Sequence, residues 1–365
     1  MTKNKLKMKY LNALNKINGL GPQKIKKLLG FFGKAENAWN AGWENLEQSG
    51  IGPTLVQKII RERKLINPKE EWGKLEKENI VLLTPADPDY PRLLKEINGA
   101  PFILYKKGGL DLNAAPLLSI VGSRKFTAYG KQVAISLAKD LAQSGFVIVS
   151  GLALGIDSIA HRSVLENGGK TIAILGNSLD EKSIYPSSHL ELAREIGEKG
   201  AVLSDYPIET PAGEFTFPAR NRLIAGISLG TLIIEAGEKS GSLITASLAL
   251  EFNREVFSVP GSIFSAQSIG TNQLLKKGAK LVMGVKDILE ELNLEERSGI
   301  KNIPLKIPSN QQEEILLKIL SSEPLHIDNL SRISKLGTAS ISAALSMMEI
   351  KGWIKDIGGQ NYIIL

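Results

Sequence analysis

Residues 217–246 read FPARNRLIAGISLGTLIIEAGEKSGSLITA. Arg220 and Arg222 open an apolar helical pattern, 231–234 is a short apolar run, and Ser240, Gly241 and Ser242 open a second helix. In a parallel α/β sheet each helix starts at the carboxyl edge of the strands, where ligands bind. Helix N-termini there present free backbone N–H groups and partial positive charge. Two such termini and two arginines aim at one crevice, which suits a polyanion.

The same alternation extends on both sides. Apolar runs at 117–121, 146–150, 171–175, 201–203, 230–234, 255–259 and 280–283 read as strands. Helical patterns lie between them at 127–144, 156–167, 187–199, 219–228, 242–252 and 271–277. Continuous apolar strands alternating with amphipathic helices predict an α/β fold with a Rossmann-like, mostly parallel sheet covered on both faces. A lead-in at 71–115 carries two more apolar runs, 80–83 and 102–105, around Pro85, Pro88 and Pro91. The expected partition is an all-α domain at 1–70, the sheet domain at 71–294, a linker at 295–309 and a winged helix at 310–365. In the last, helices at 311–320 and 338–350 flank one capped by Asp328, and two β runs surround Gly358 and Gly359.

Charge is unevenly placed. Of a net +7, residues 1–70 hold 12 Lys and 2 Arg against 5 Glu, while the remainder is slightly acidic. A nucleic-acid partner or a solubilising lysine-rich arm both fit that excess. Two similar turns, Gly19-Leu20-Gly21-Pro22 and Gly50-Ile51-Gly52-Pro53, repeat at an offset of 31 residues and precede helices bearing Lys24, Lys26, Lys27 and Lys58, Arg61, Arg63. They resemble the helix-hairpin-helix element, with ordinary corners of a small bundle as the alternative. The winged helix's third helix carries one base, at its very end, where groove reading usually needs several polar side chains. A packing or partner role suits it better.

Cysteine is absent, which excludes disulfides and thiol chemistry and fits a reducing cytosol. No apolar stretch is long enough for a signal core or a membrane span, so a cytoplasmic location without membrane contact is expected. His161, His189 and His326 are scattered without metal-ligand spacing, so neither metal nor cofactor is expected. A dinucleotide fingerprint is missing as well.

Further loops leave consecutive strands: Gly122-Ser123-Arg124-Lys125, Gly151 to Gly155 with Asp157 and His161 beyond, Gly176-Asn177 ending in Tyr185-Pro186, and Ser204-Asp205-Tyr206-Pro207. Asp157 reads equally as a helix cap or a contact, and His161 as a packed residue. Arg124, Arg220, Arg222 and Lys239 map to one edge.

Together VGSRKFTAYG, VSGLALGIDSIAH, LSDYP, FPARNRLIAGIS, EAGEKSGSLITA and GTNQLLKKGAKLV, in this order across roughly residues 80–290, resemble the DNA-processing protein A (DprA/Smf) family. The flanking parts resemble a SAM-like helical domain and a winged helix. The resemblance implies a binding protein rather than an enzyme, one that protects incoming single-stranded DNA and loads the RecA recombinase in natural transformation. It implies DNA contacts at Gly122, Ser123, Arg124, Lys125, Gly151, Gly155, Phe217, Arg220, Asn221, Arg222, Lys239, Ser240, Gly241 and Ser242, with Phe217 or Phe126 as the stacking ring. It implies a homodimer through Asn272, Leu275 and Leu281. The alternative is a nucleoside-monophosphate phosphoribohydrolase of the same superfamily, whose catalytic Glu Glu235 approaches without matching.

Overall fold

The computed structural model describes residues 3–294, 308, 310–321 and 323–364. Nine strands form one sheet: β1 (Val81–Leu83), β2 (Leu104–Lys107), β3 (Leu117–Val121), β4 (Val147–Ser150), β5 (Thr171–Ile174), β6 (Ala201–Ser204), β7 (Gly230–Ile233), β8 (Glu255–Ser258) and β9 (Lys280–Leu281). Their order is β1-β2-β6-β5-β4-β3-β7-β8-β9. All pairs from β6 to β9 are parallel, whereas β2 runs antiparallel to both β1 and β6. The expected mostly parallel core is present, and the two lead-in runs have become its antiparallel edge.

Every residue of β3 is buried because helices cover both faces. Helices Ala128–Gln143 and Ile156–Glu166 pack Leu137, Leu141 and Val164 onto one face, against Leu118 and Ile120. On the other face, Leu223 and Ile224 of helix Thr216–Ile227 and Ala246 of helix Gly241–Glu251 meet Leu117 and Val149. Each fully buried Leu or Ile contributes about 1.5–3 kcal/mol. The chain winds outward from β3 to β6 and then returns to place β7 on the other side of β3. That reversal opens a crevice at the carboxyl ends of β3 and β7.

The N-terminal helices do not stop at Pro68. Asn67 caps a further helix, Pro68–Lys77, by accepting from Lys69 N at 3.0 Å, and Pro68 sits in its first turn, where its missing N–H costs nothing. Leu75 of this helix joins Leu14, Leu28 and Ile59 in a cluster that continues into Leu82, Tyr105 and Val202 of the sheet. The helices and the sheet therefore share one core. The two glycine turns face each other: Lys27 Nζ donates to Gly50 O at 2.7 Å and Lys24 Nζ to Ile51 O at 3.3 Å. Two lysines expected on a free basic face thus hold the opposing turn.

The helix Val285–Glu291 after β9 had no counterpart in the sequence reading; it buries Ile288 and Leu289. The linker expected at 295–309 lies, apart from residue 308, outside the described residues. The C-terminal unit has helices Gln311–Ile319, Ile327–Ser334 and Thr338–Ile350 and a small sheet of β10 (Leu325–His326), β11 (Ile354–Asp356) and β12 (Asn361–Ile364). His326, not Asp328, caps the second helix: its Nδ1 accepts from Asp328 N at 3.3 Å. The third helix buries Ile341, Leu345 and Met348 and leaves Met347 and Ile350 exposed, with no basic residue along its length.

Candidate nucleic-acid interface

The loop after β3 turns on Ser123, whose Oγ accepts from Lys125 N at 3.0 Å and lies 2.8 Å from both Lys125 O and Gln267 Oε1. That hydroxyl, expected to meet a ligand, is buried and shapes the loop instead. The next three side chains, Arg124, Lys125 and Phe126, all face solvent. Behind them Glu235 accepts from Thr127 N at 2.9 Å and Thr127 Oγ1 at 2.5 Å, bolting the end of β7 to the start of helix Ala128–Gln143.

The loop after β4 is held by Asp157, whose Oδ2 accepts from Gly151 N at 3.0 Å and Ala153 N at 3.4 Å. Burial raises its pKa, while Arg220 and these N–H groups oppose the rise. Asp157 is thus a brace for the loop and not the helix cap, since Gly155 holds the N-cap position with no side-chain cap bond. His161 is fully buried with Nδ1 2.7 Å from Thr171 Oγ1, and burial pushes its pKa down to about 3. It stays neutral and packs, as expected.

The two arginines of helix Thr216–Ile227 reach the crevice, but both are engaged by protein groups there. Arg220 is only 4 % exposed, and its Nη1 donates to Gly151 O at 2.7 Å and to Ile174 O. Desolvation lowers its pKa to about 10, with Asp157 opposing the shift and Arg124 adding to it. Arg222 pairs with Asp205 and donates to Gly99 O at 2.7 Å. Helical spacing turned it toward the lead-in segment, so it ties the helix to the loop after β6 and keeps only 21 % exposure. Burial raises the pKa of Asp205 against that pairing. Asn221 between them accepts from Arg220 Nε at 3.2 Å.

What remains exposed forms a mixed aromatic and cationic rim. Phe217 has the Tyr185 ring 5.5 Å away at 43° and the Arg124 guanidinium 5.5 Å above it. These three, with Gly151, Ala153, Leu154, Pro186 and Arg220, line one pocket. Phe126 is exposed but stands outside that lining. Lys239 is exposed on the β7 loop, and Ser240 caps the following helix by accepting from Ser242 N at 3.4 Å. Gly241 is open to solvent, whereas Ser242 and Gly155 are buried. Tyr185 and Leu154 were not singled out as contacts by the sequence reading. The aromatic in the Tyr185-Pro186 loop ending was the available signal.

At the far edge, β9 has β8 as its one neighbour among the described residues and leaves Leu281 41 % exposed. Met283, Ile263 and Phe264 nearby in the chain are more exposed still. Leu275 is half-buried. Asn272 is engaged within its own chain, with Nδ2 on Gly261 O at 3.0 Å and Oδ1 accepting from Gly261 N at 3.3 Å. It clamps a loop, which its amide side chain suits by offering both a donor and an acceptor.

Comparison with known proteins follows this geometry. The DNA recombination-mediator protein A family matches residues 81–293, and the DprA winged-helix domain matches residues 304–360. Protein Smf of Synechocystis is 37% identical over 97% of this chain and 98% of its own length. The DNA processing protein DprA of Bacillus subtilis is 42% identical over 70% of this chain and 88% of its own. The structure of DNA processing protein A from Streptococcus pneumoniae superposes with a TM-score of 0.67 at 37% identity, covering 78% of this chain and 97% of that one. That of Helicobacter pylori, described for its single-stranded DNA binding mode, gives 0.53 at 35% identity, with 59% and 95% covered.

Proposed function

Because the chain belongs to the DNA recombination-mediator protein A (DprA/Smf) family, we propose that it binds single-stranded DNA along the carboxyl edge of its sheet, shields the strand and delivers it to the RecA recombinase. The observation that supports this most is the rim in which the half-buried Phe217 ring meets Tyr185 and Arg124, with Lys125 and Lys239 exposed on loops of the same sheet edge. Bases stack on aromatic faces only when unpaired, and cations track the backbone between them. The chain is read as a binder rather than an enzyme. Glu235, which a phosphoribohydrolase would need free, has both oxygens engaged by Thr127.

Gel shifts with strands and duplexes of equal length test the reading. Single strands should bind well ahead of duplex. Affinity should fall with salt at a log–log slope of about −2, the value for three neutralised phosphates on a single strand. Duplex competing as well as single strand overturns the groove. Adding RecA and a single-strand-binding protein tests delivery: filaments should form sooner with the protein present.

A homodimer through the β9 edge belongs to the same proposal, its support being the open strand and the exposed Leu281 and Met283. A two-fold contact strikes each substitution twice. Leu281→Glu should therefore give a folded monomer by light scattering, with weaker and less cooperative DNA binding. A native circular dichroism spectrum at dimer mass would remove this edge from the interface.

A further inference from the structure

A second cavity, sharing no lining residue with the rim pocket, runs along helix Leu190–Lys199 and holds about 570 Å³. Small-molecule sites span about 300–1,000 Å³. Leu190, Ala193 and Gly197 of the helix line it together with Val202 of β6 and with Leu179 and Ile184 of the connection from β5. Leu179, Ile184, Ala193 and Val202 belong to the core that the sheet shares with the N-terminal helices. The floor is therefore apolar and firmly mounted.

Gly197 is the telling residue. A glycine inside a helix destabilises it relative to alanine. Packing explains some such glycines: at Gly226, in helix Thr216–Ile227, a Cβ would lie 2.7 Å from Ile97 Cδ1. At Gly197 a Cβ would meet only Lys107 Cγ and Val202 Cγ2, both at 4.0 Å, which is ordinary contact. The fold does not require glycine there, and what a longer side chain would occupy is the cavity. A local rule broken without a packing reason marks a functional position.

The rim charges select the occupant. Arg194 is saturated, with Nε and Nη2 each donating to Glu181 at 2.9 Å and Nη1 to Glu191 at 2.6 Å. Lys107 Nζ donates to Glu78 at 3.2 Å. Glu198 is exposed on the cavity wall and has no partner among the described residues. With these partners included, two cations meet four carboxylates. An anion would enter against that excess, whereas a cation with an apolar body matches both rim and floor.

We propose that this cavity binds a small organic cation, its apolar body filling the recess at Gly197 and its ammonium group held by Glu198. The site goes beyond the single-strand reading and stands or falls apart from it.

Calorimetric titration of the full chain with octylammonium, hexylammonium and octanoate tests it. Octylammonium should bind saturably. Hexylammonium should bind about tenfold more weakly, since each buried methylene is about fourfold in affinity. Octanoate should bind at least fivefold more weakly than octylammonium. Glu198→Gln should lower octylammonium affinity about two- to fivefold, as expected for an exposed ion pair. Gly197→Leu fills the recess and should abolish binding, while Gly197→Ala should raise the melting temperature by about 1–3 °C. Octanoate binding as well as octylammonium, or octylammonium binding unchanged in Gly197→Leu, overturns the site. So does a Gly197→Ala protein that melts below the parent, because the glycine then serves packing. If Gly197→Leu does not fold, the octanoate comparison and Glu198→Gln still decide.

Discussion

Arg124→Ala is expected to weaken single-strand binding by about ten- to a hundredfold while leaving the melting curve unchanged. The reason is the contrast between this arginine and its two neighbours in the crevice. Arg124 is exposed, has no carboxylate partner among the described residues and rests on the Phe217 ring. Truncating an exposed side chain of that kind moves stability by about 0.5 kcal/mol at most. A charge-assisted contact to phosphate contributes about 1.5–3 kcal/mol, and each 1.4 kcal/mol is about tenfold in affinity. Arg124→Lys should recover part of the loss, because it restores the charge without the planar fork. Arg222→Ala should behave in the opposite way. It leaves the partly buried Asp205 carboxylate, 16 % exposed, without its partner, which costs about 1.5–3 kcal/mol, so its melting temperature falls first. Fluorescence anisotropy with a thymidine strand, paired with calorimetry, separates the two. An Arg124→Ala protein with parent affinity and an intact melt would remove Arg124 from the groove.

That contrast also shows what a linear sequence carries. The strands were legible because a sheet covered on both faces demands continuous apolar runs, and β3 through β8 have them. The crevice was legible too, since helices in such a sheet start at one edge. Spacing within a helix was not enough to tell which cations face solvent. Arg220 and Arg222 are two residues apart, so they point in different directions, one inward against Gly151 and one toward Asp205. Their partners lie far away in sequence, and nothing local announces them. The same holds for Lys24 and Lys27, whose acceptors are carbonyls of a turn more than 20 residues on. The end of the helical segment, expected at residue 70, was misplaced because proline can open a helix as well as end one. After Asn67 it is a first-turn residue. Composition located the charge, and only packing assigned it.

Gly155→Ala is expected to be the most damaging single methyl in the crevice. Gly155 has φ +87°, a backbone conformation that side chains disfavour, at the point where the β4 loop crosses under the β3 loop. A Cβ there would press on Ser123 O and lie 2.7 Å from Arg124 Cα, backbone atoms that cannot rotate away. Backbone strain of about 1–3 kcal/mol and overpacking of a similar size act together. A loss of about 3 kcal/mol or more follows, which at about 2–4 °C per kcal/mol is a fall of roughly 6–12 °C in melting temperature. Affinity should fall as well, because the loop that moves carries Arg124. Gly241→Ala is the matched comparison. It starts the helix after β7, and a Cβ there meets nothing within 4 Å. The added methyl should leave the melt within about 0.5 kcal/mol of the parent, and it can lower affinity only if a strand packs against that helix start. Gly155→Ala melting like the parent would mean that the two loops are not locked together. Arg124 would then be presented by a mobile segment.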